Sequence, residues 1–283
     1  MAGWTGLAPL LAFLLLLCPF SSPACPAACR CSLGEVDCSY QALRSVPENL
    51  PADASAVRLA FNHIAVLKAH AFPMQQVLQN LSLHSNVLVS IHRRAFAGLG
   101  ALRELDLSNN YLTVLTAETF LPLPWLATLN LGSNKLGQLP PAVLRAMPCL
   151  QELFLHSNAL QSLHADVFPN LPAVRCLTLK GNPWECTCEI QPLFLWIMDN
   201  PDKIQEENLI QCRFPEHLNQ YPLTVISNES FSHCQDNLLL PRDYAFFLLV
   251  GPASCLASII VCLLLGSLAV AYDRLLKKLE KDC

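Results

Sequence analysis

The sequence predicts an α/β solenoid with a parallel sheet on its concave face, a cysteine cap at each end and one transmembrane helix after the second cap. Three observations predict it. An eleven-residue pattern returns every 24 residues through the middle of the 283-residue chain. Cysteines cluster on either side of these repeats, and 27 consecutive residues near the carboxyl terminus carry no charge.

The cleanest copies of the pattern are LQNLSLHSNVL (Leu78–Leu88), LRELDLSNNYL (Leu102–Leu112), LATLNLGSNKL (Leu126–Leu136) and LQELFLHSNAL (Leu150–Leu160). A degenerate first copy contains Ala54, Val57, Leu59, Asn62 and Ile64, and a last one Val174, Leu177, Leu179 and Asn182. The asparagines fall in strict phase at Asn62, Asn86, Asn110, Asn134, Asn158 and Asn182. Several positions per copy must match together, which makes the leucine-rich repeat a specific signal. In LxxLxLxxN the middle leucines alternate along a short strand and point into the solenoid. The asparagine amide is suited to satisfy backbone groups that the turn would bury unpaired. Five residues further on stand Leu67, Ile91, Leu115, Leu139 and Leu163; ten further on, Phe72, Phe96, Phe120, Leu144 and Phe168 make a spine. Stacking lets these faces bury one another, which a single repeat cannot do.

Composition narrows the function classes. Hydrophobic residues make up 53% of the chain and the net charge is −4, so no global basic surface invites nucleic acid. Residues 1–24 contain the apolar run Leu7–Cys18, followed by small residues at Ser22 and Ala24. This reads as a signal peptide cleaved before Cys25, although no Lys or Arg precedes the run. Export implies an oxidising compartment. Cys25, Cys29, Cys31 and Cys38 then form a cap over residues 25–53; a zinc site is the rival reading, but behind a signal peptide disulfides are favoured. Repeats fill 54–182, and a second cap over 183–234 opens with Asn182-Pro183-Trp184-x-Cys186-x-Cys188 and adds Cys212 and Cys234. Within it, Pro192–Met198 is expected to be a short helix laying Leu193, Leu195, Trp196 or Ile197 over the open end of the core. Cys149 and Cys176 are expected to be unpaired, with an intermolecular bridge as the alternative.

The concave strand positions carry Glu104 and Asp106 near His84, and Glu152 near His156. No nucleophile with an oriented base, metal-ligand spacing or phosphate loop accompanies them. A solvated polar face is the expected reading; no enzyme, cofactor or small-molecule substrate is expected, and only Phe154 stands out as an interaction anchor. Asn80-Leu81-Ser82 and Asn228-Glu229-Ser230 are N-glycosylation sequons.

After a linker over 235–244, residues 245–271 are long enough to cross a bilayer as a helix. Arg274, Lys277, Lys278 and Lys281 lie beyond the far end, in the tail 272–283, so the positive-inside rule puts that end in the cytoplasm. Both cues give a single-pass type I protein of the plasma membrane. Ser254, Ser258, Cys262 and Gly266 recur every fourth residue, with Gly251 and Cys255 beside them, a small-residue stripe suited to helix packing. Pro252 is expected to kink the outer third. The basic tail is short and would act electrostatically, on lipid head groups or on a neighbour's charges.

This order of segments resembles the leucine-rich-repeat gamma auxiliary subunits of the large-conductance calcium- and voltage-activated (BK) potassium channel. Phe231-Ser232-His233-Cys234, Arg242-Asp243-Tyr244 and Gly251-Pro252-Ala253-Ser254 are similar to that family's juxtamembrane and early-span wording. The caps resemble those of extracellular leucine-rich repeat proteins, which implies the pairings Cys25–Cys31, Cys29–Cys38, Cys186–Cys212 and Cys188–Cys234. The resemblance also implies association with the pore-forming alpha subunit and a shift of activation toward negative voltage. That effect would be carried by 245–271 and by Arg274, Lys277, Lys278 and Lys281. Asp273, Glu280 and Asp282 dilute the basic cluster, so a modest shift is expected. The alternative is an adhesion or ligand-binding receptor working through the concave face.

Overall fold

Each coil is closed at its turn by its asparagine. In the computed structural model, which describes residues 25–226, 231, 234 and 258–270, Asn110 is representative. Its Nδ2 donates to the carbonyls of Leu107 and Ser108 in its own coil and of Leu83 in the preceding one, and its Oδ1 accepts from the N–H of Leu88. Asn86 one coil before, and Asn134 and Asn158 one and two coils after, repeat this set. All six asparagines are buried. Such groups are tolerated inside because every donor and acceptor of the amide is used.

The residue before each asparagine makes the turn itself. Phe61, Ser85, Asn109, Ser133, Ser157 and Gly181 all have positive φ, between 52° and 70°. Short polar residues and glycine tolerate this region, whereas Phe61 is a bulky exception.

The N-terminal cap is a hairpin, β1 (Arg30–Ser32) against β2 (Glu35–Asp37), turned through Leu33 and Gly34, both at positive φ. Strand β2 continues in parallel onto the repeats: β3 (Ala56–Arg58) comes next. Behind it runs β4 (Val66–Leu67), and then β5 (Asn80–Ser82) continues the front sheet. Next come β6 (Ser90–Ile91), which pairs with β4 in a small rear sheet, β7 (Glu104–Asp106) and α1 (Ala117–Phe120). They are followed by β8 (Thr128–Asn130), α2 (Pro141–Arg145), β9 (Glu152–Phe154) and β10 (Cys176–Thr178). The front sheet has the order β1-β2-β3-β5-β7-β8-β9-β10, and its repeat strands pair in parallel with a register of 24 residues, as in Leu81 opposite Leu105. The sequence marked the repeat strands; it did not mark the cap hairpin that extends the same sheet.

The C-terminal cap closes the other end. β11 (Trp184–Glu185) leads to α3 (Gln191–Asp199), and β12 (Cys212–Phe214) returns to pair with β11. Trp184 is fully buried and its indole Nε1 donates to the carbonyl of Leu179. The helix is one residue longer at each end than expected. It buries Leu193, Phe194 and Ile197, while Leu195 is 43% exposed and Trp196 half-buried. The expected Leu195 contact is therefore replaced by Phe194: at about 100° per residue the inward face takes i, i+1 and i+4.

The spine holds from Phe72 through Phe96 to Phe120, whose neighbouring rings lie 6.4 and 6.5 Å apart, and on to Leu144. The last position departs from it. Phe168 is half-buried in a 3₁₀ turn (Ala165–Asn170), Val167 takes the inner position, and Phe168 stacks on Trp196 at 5.5 Å. Pro169 removes the N–H that a longer turn would need, which tightens this coil. Ile91 is half-buried rather than core.

Two units can be separated, Met1–Ser227 and Asn228–Cys283. In the second, residues 258–270 are helical and exposed along their whole length. Among the described residues no helix is long and apolar enough to cross a membrane. The remainder of the expected span, the leader 1–24 and the tail lie outside the described residues.

Candidate functional site

The concave sheet holds a shallow groove of about 350 Å³. Its floor includes Glu35, Arg58, Asn80, Glu104, Asp106 and Phe154. These are the strand residues that point away from the buried leucines, because successive side chains alternate between the two faces. Arg58 pairs with Glu35 on the neighbouring strand at 3.2 Å. Asn80 donates through Nδ2 to Glu104 Oε2 at 2.6 Å, across one register step of 24 residues.

His84 sits in a chain of bonds that places a hydrogen on its Nδ1. The Ser108 hydroxyl donates to Asp106 Oδ1 (2.6 Å), so its oxygen can only accept from His84 Nδ1–H (2.7 Å). His84 Nε2 is hydrogen-bonded to the Ser85 hydroxyl (2.9 Å), which also accepts from Asn109 Nδ2 (2.6 Å). Asp106, His84 and Glu104 are thus committed to neighbouring side chains rather than converging on one point. Among the described residues no group of His, Cys, Asp or Glu is arranged to hold a metal ion.

His156 lies across Gly132, where an added Cβ would run into its ring. Its Nδ1 is 3.1 Å from Thr178 Oγ1. Burial, and then the nearby Lys180, hold its pKa below the ordinary value. Lys180 itself pairs with Glu206. Cys176 and Cys149 are free and half-buried. Burial, reinforced by Glu152, pushes the Cys176 thiol up, which makes it a poor nucleophile.

Cys25 is bonded to Cys31, Cys29 to Cys38 and Cys186 to Cys212, with Cα separations of 5.8, 4.3 and 5.7 Å. Cys188 and Cys234 are disulfide-bonded as well. Ser258, Cys262 and Gly266 lie at every fourth position of the helical segment 258–270, and Cys262 is free and exposed there. Gly251, Ser254, Cys255, Arg274, Lys277, Lys278, Lys281 and the sequon Asn228 lie outside the described residues. Asn80 is exposed on the concave sheet.

A capped leucine-rich-repeat solenoid is thereby defined, and comparisons with known proteins agree. The leucine rich repeat family model matches residues 55–112, 76–136, 101–160 and 124–183. A solved structure of human Wnt-activated inhibitory factor 1 (trophoblast glycoprotein) shares the fold, with a TM-score of 0.51 at 24% identity over 74% of this chain and 99% of that one. Human leucine-rich repeat-containing protein 26 is 52% identical over 281 residues, covering 93% of this chain and 84% of that protein. The rat protein of the same name is 40% identical over 91 residues, 32% of this chain and 27% of its own length. The chain belongs to the family of leucine-rich repeat-containing protein 26, the gamma auxiliary subunit family that its juxtamembrane wording resembles.

Proposed function

We propose that the chain is a gamma-type auxiliary subunit of the BK potassium channel. It associates with the pore-forming alpha subunit and shifts activation toward negative voltage. The observation that carries this reading is the extent of the similarity to the human relative, 93% of the chain, which is more than the repeats and caps together occupy. The solenoid stands outside the plasma membrane with glycans on Asn80 and Asn228. Residues 245–271 cross the bilayer once, and Ser254, Ser258, Cys262 and Gly266 line the face that meets a helix of the channel. Arg274, Lys277, Lys278 and Lys281 sit inside, near lipid head groups.

The energetics are favourable to such a mechanism. Moving one charge through 100 mV is worth about 2.3 kcal/mol, so a few basic groups near a voltage sensor displace the activation curve measurably. The test is a conductance–voltage curve of the pore-forming subunit with and without this protein, at fixed internal calcium. A displacement to negative voltage is expected, reduced by Lys277→Glu with Lys278→Glu. Superimposable curves, with the protein present at the cell surface, would overturn the reading in favour of a ligand-binding receptor.

A further inference from the structure

On the rear of the first coils, the repeat places basic side chains in a ladder. Arg44, Lys68 and His92 are 24 residues apart and so occupy one register position on three successive coils. The two later coils are locked together there. β4 pairs with β6, His92 N–H donates to the carbonyl of Leu67, and His70 N–H donates to the carbonyl of Arg94. Lys68 thus lies beside His92, and His70 beside Arg94, at about the 4.8 Å spacing of neighbouring strands. Arg93 stands between them on the second coil. All of these side chains are exposed.

Arg44, Lys68 and His70 line a groove of about 630 Å³ together with Val66, and Glu48 is its one acidic residue; His92, Arg93 and Arg94 stand on the neighbouring coil, outside this lining. Arg58 pairs with Glu35 and Lys180 with Glu206. Among the described residues, Arg44, Lys68, Arg93 and Arg94 have no ion-pair partner. His92 Nδ1 accepts from the N–H of Arg94 at 3.1 Å, which leaves Nε2 to face outward as a donor. A concentration of unpaired cations in a chain of net charge −4 is a local feature, not an overall bias.

We propose that this basic face, the groove and the coil beside it, binds a linear sulfated polysaccharide of the extracellular matrix. A basic cluster on an exported domain matches that chemistry, and regularly spaced cations suit a polymer with regularly spaced anionic groups. The inference rests on the extracellular placement of the solenoid given above. Arg44 and Lys68 supply charge along the groove, Val66 gives an apolar floor for the sugar ring, and Arg93 and Arg94 supply forked donors to sulfate oxygens where the polymer runs on across the neighbouring coil.

The full chain, purified in nanodiscs of uncharged lipid, is passed over immobilised heparin and eluted with salt. Retention that weakens as salt rises is expected, because bound cations displace condensed counterions. The triple variant Lys68→Glu, Arg93→Glu, Arg94→Glu is expected to lose affinity about ten- to a hundredfold. Arg103→Glu with Arg175→Glu, on exposed sites elsewhere, is expected to bind as the parent does. Should the triple variant fail to fold, judged by its thermal transition, Arg93→Gln with Arg94→Gln replaces it. Absence of heparin binding, equal binding by the triple variant, equal binding of desulfated heparin, or binding only to phosphatidylserine vesicles would each overturn the proposal. The channel is absent from this assay, so a failure here is separable from a failure to shift the conductance–voltage curve.

Discussion

Replacing Asn110 by alanine removes the donor to three carbonyls and the acceptor for the Leu88 N–H, all in the buried interior. Each stranded buried polar group costs about 1–3 kcal/mol, and partial relaxation makes a total loss of about 3–4 kcal/mol the expected outcome in chemical denaturation. Asn110→Asp is expected to be no better, since a carboxylate has acceptors only and brings a buried charge. Gly132→Ala drives a methyl into the His156 ring and is expected to cost about 1–3 kcal/mol by the same measurement. The histidine also gives a pH dependence with a definite sign. Its folded pKa lies below the unfolded value of about 6.5, so the unfolded chain binds more protons between the two. This contribution to stability is complete above the unfolded value and is lost as pH falls toward and through the folded one. Thermal midpoints measured across that window are expected to fall less steeply for His156→Gln than for the parent. The asparagines were legible in the sequence because their phase never slips; the role of Gly132 was not, since the ring that covers it comes from the next coil.

Short strands gave themselves away through repetition rather than propensity. Three residues such as Glu104–Asp106 are too few to show a period of their own, and only six copies in register identify them. The hairpin β1–β2 occurs once, with Leu33 at a turn position usually held by Asn, Asp or Gly, so nothing marked it as sheet. The cap helix α3 was legible as an element while its phase was not. In PLFLWIM nearly every residue is apolar, and which ones face inward is decided by Phe168 and the last coil. Leu193→Ala, at a fully buried site, is expected to cost about 2–5 kcal/mol. Leu195→Ala, on the exposed face, is expected to fall within about 0.5 kcal/mol of the parent. Thermal or urea unfolding of the pair distinguishes the observed phase from the one anticipated.

At the scale of the whole solenoid, neighbouring coils supply nearly all the contacts a coil needs, so a complete period is removable and a fraction of one is not. Deleting Tyr111–Asn134 joins Asn110 to Lys135 and keeps every later residue in register. That variant is expected to unfold in a single cooperative transition at a somewhat lower temperature. Deleting only Tyr111–Pro122 puts later leucines on the wrong face and is expected to abolish the transition. The groove on the rear of the first coils was invisible to a reading centred on the concave strands, although the 24-residue ladder Arg44, Lys68, His92 is present in the sequence.

The asparagine bonds also run in one direction. Asn86 completes the coil of Asn62 by accepting from Ile64 and donating to Leu59; Asn110 does the same for the coil before it, and so on to Asn182. No coil is finished by its own residues. As a ribosome releases the chain from its amino terminus, the N–H of Ile64 leaves the exit tunnel 22 residues ahead of the amide that will satisfy it. A coil that has just emerged therefore lacks these two partners until the next asparagine follows it. The amino-terminal cap is closed in the same way, through Asn62 bonding to Gln41, Leu43 and Cys38, so the first partner the chain needs after the cap is the asparagine of its first repeat.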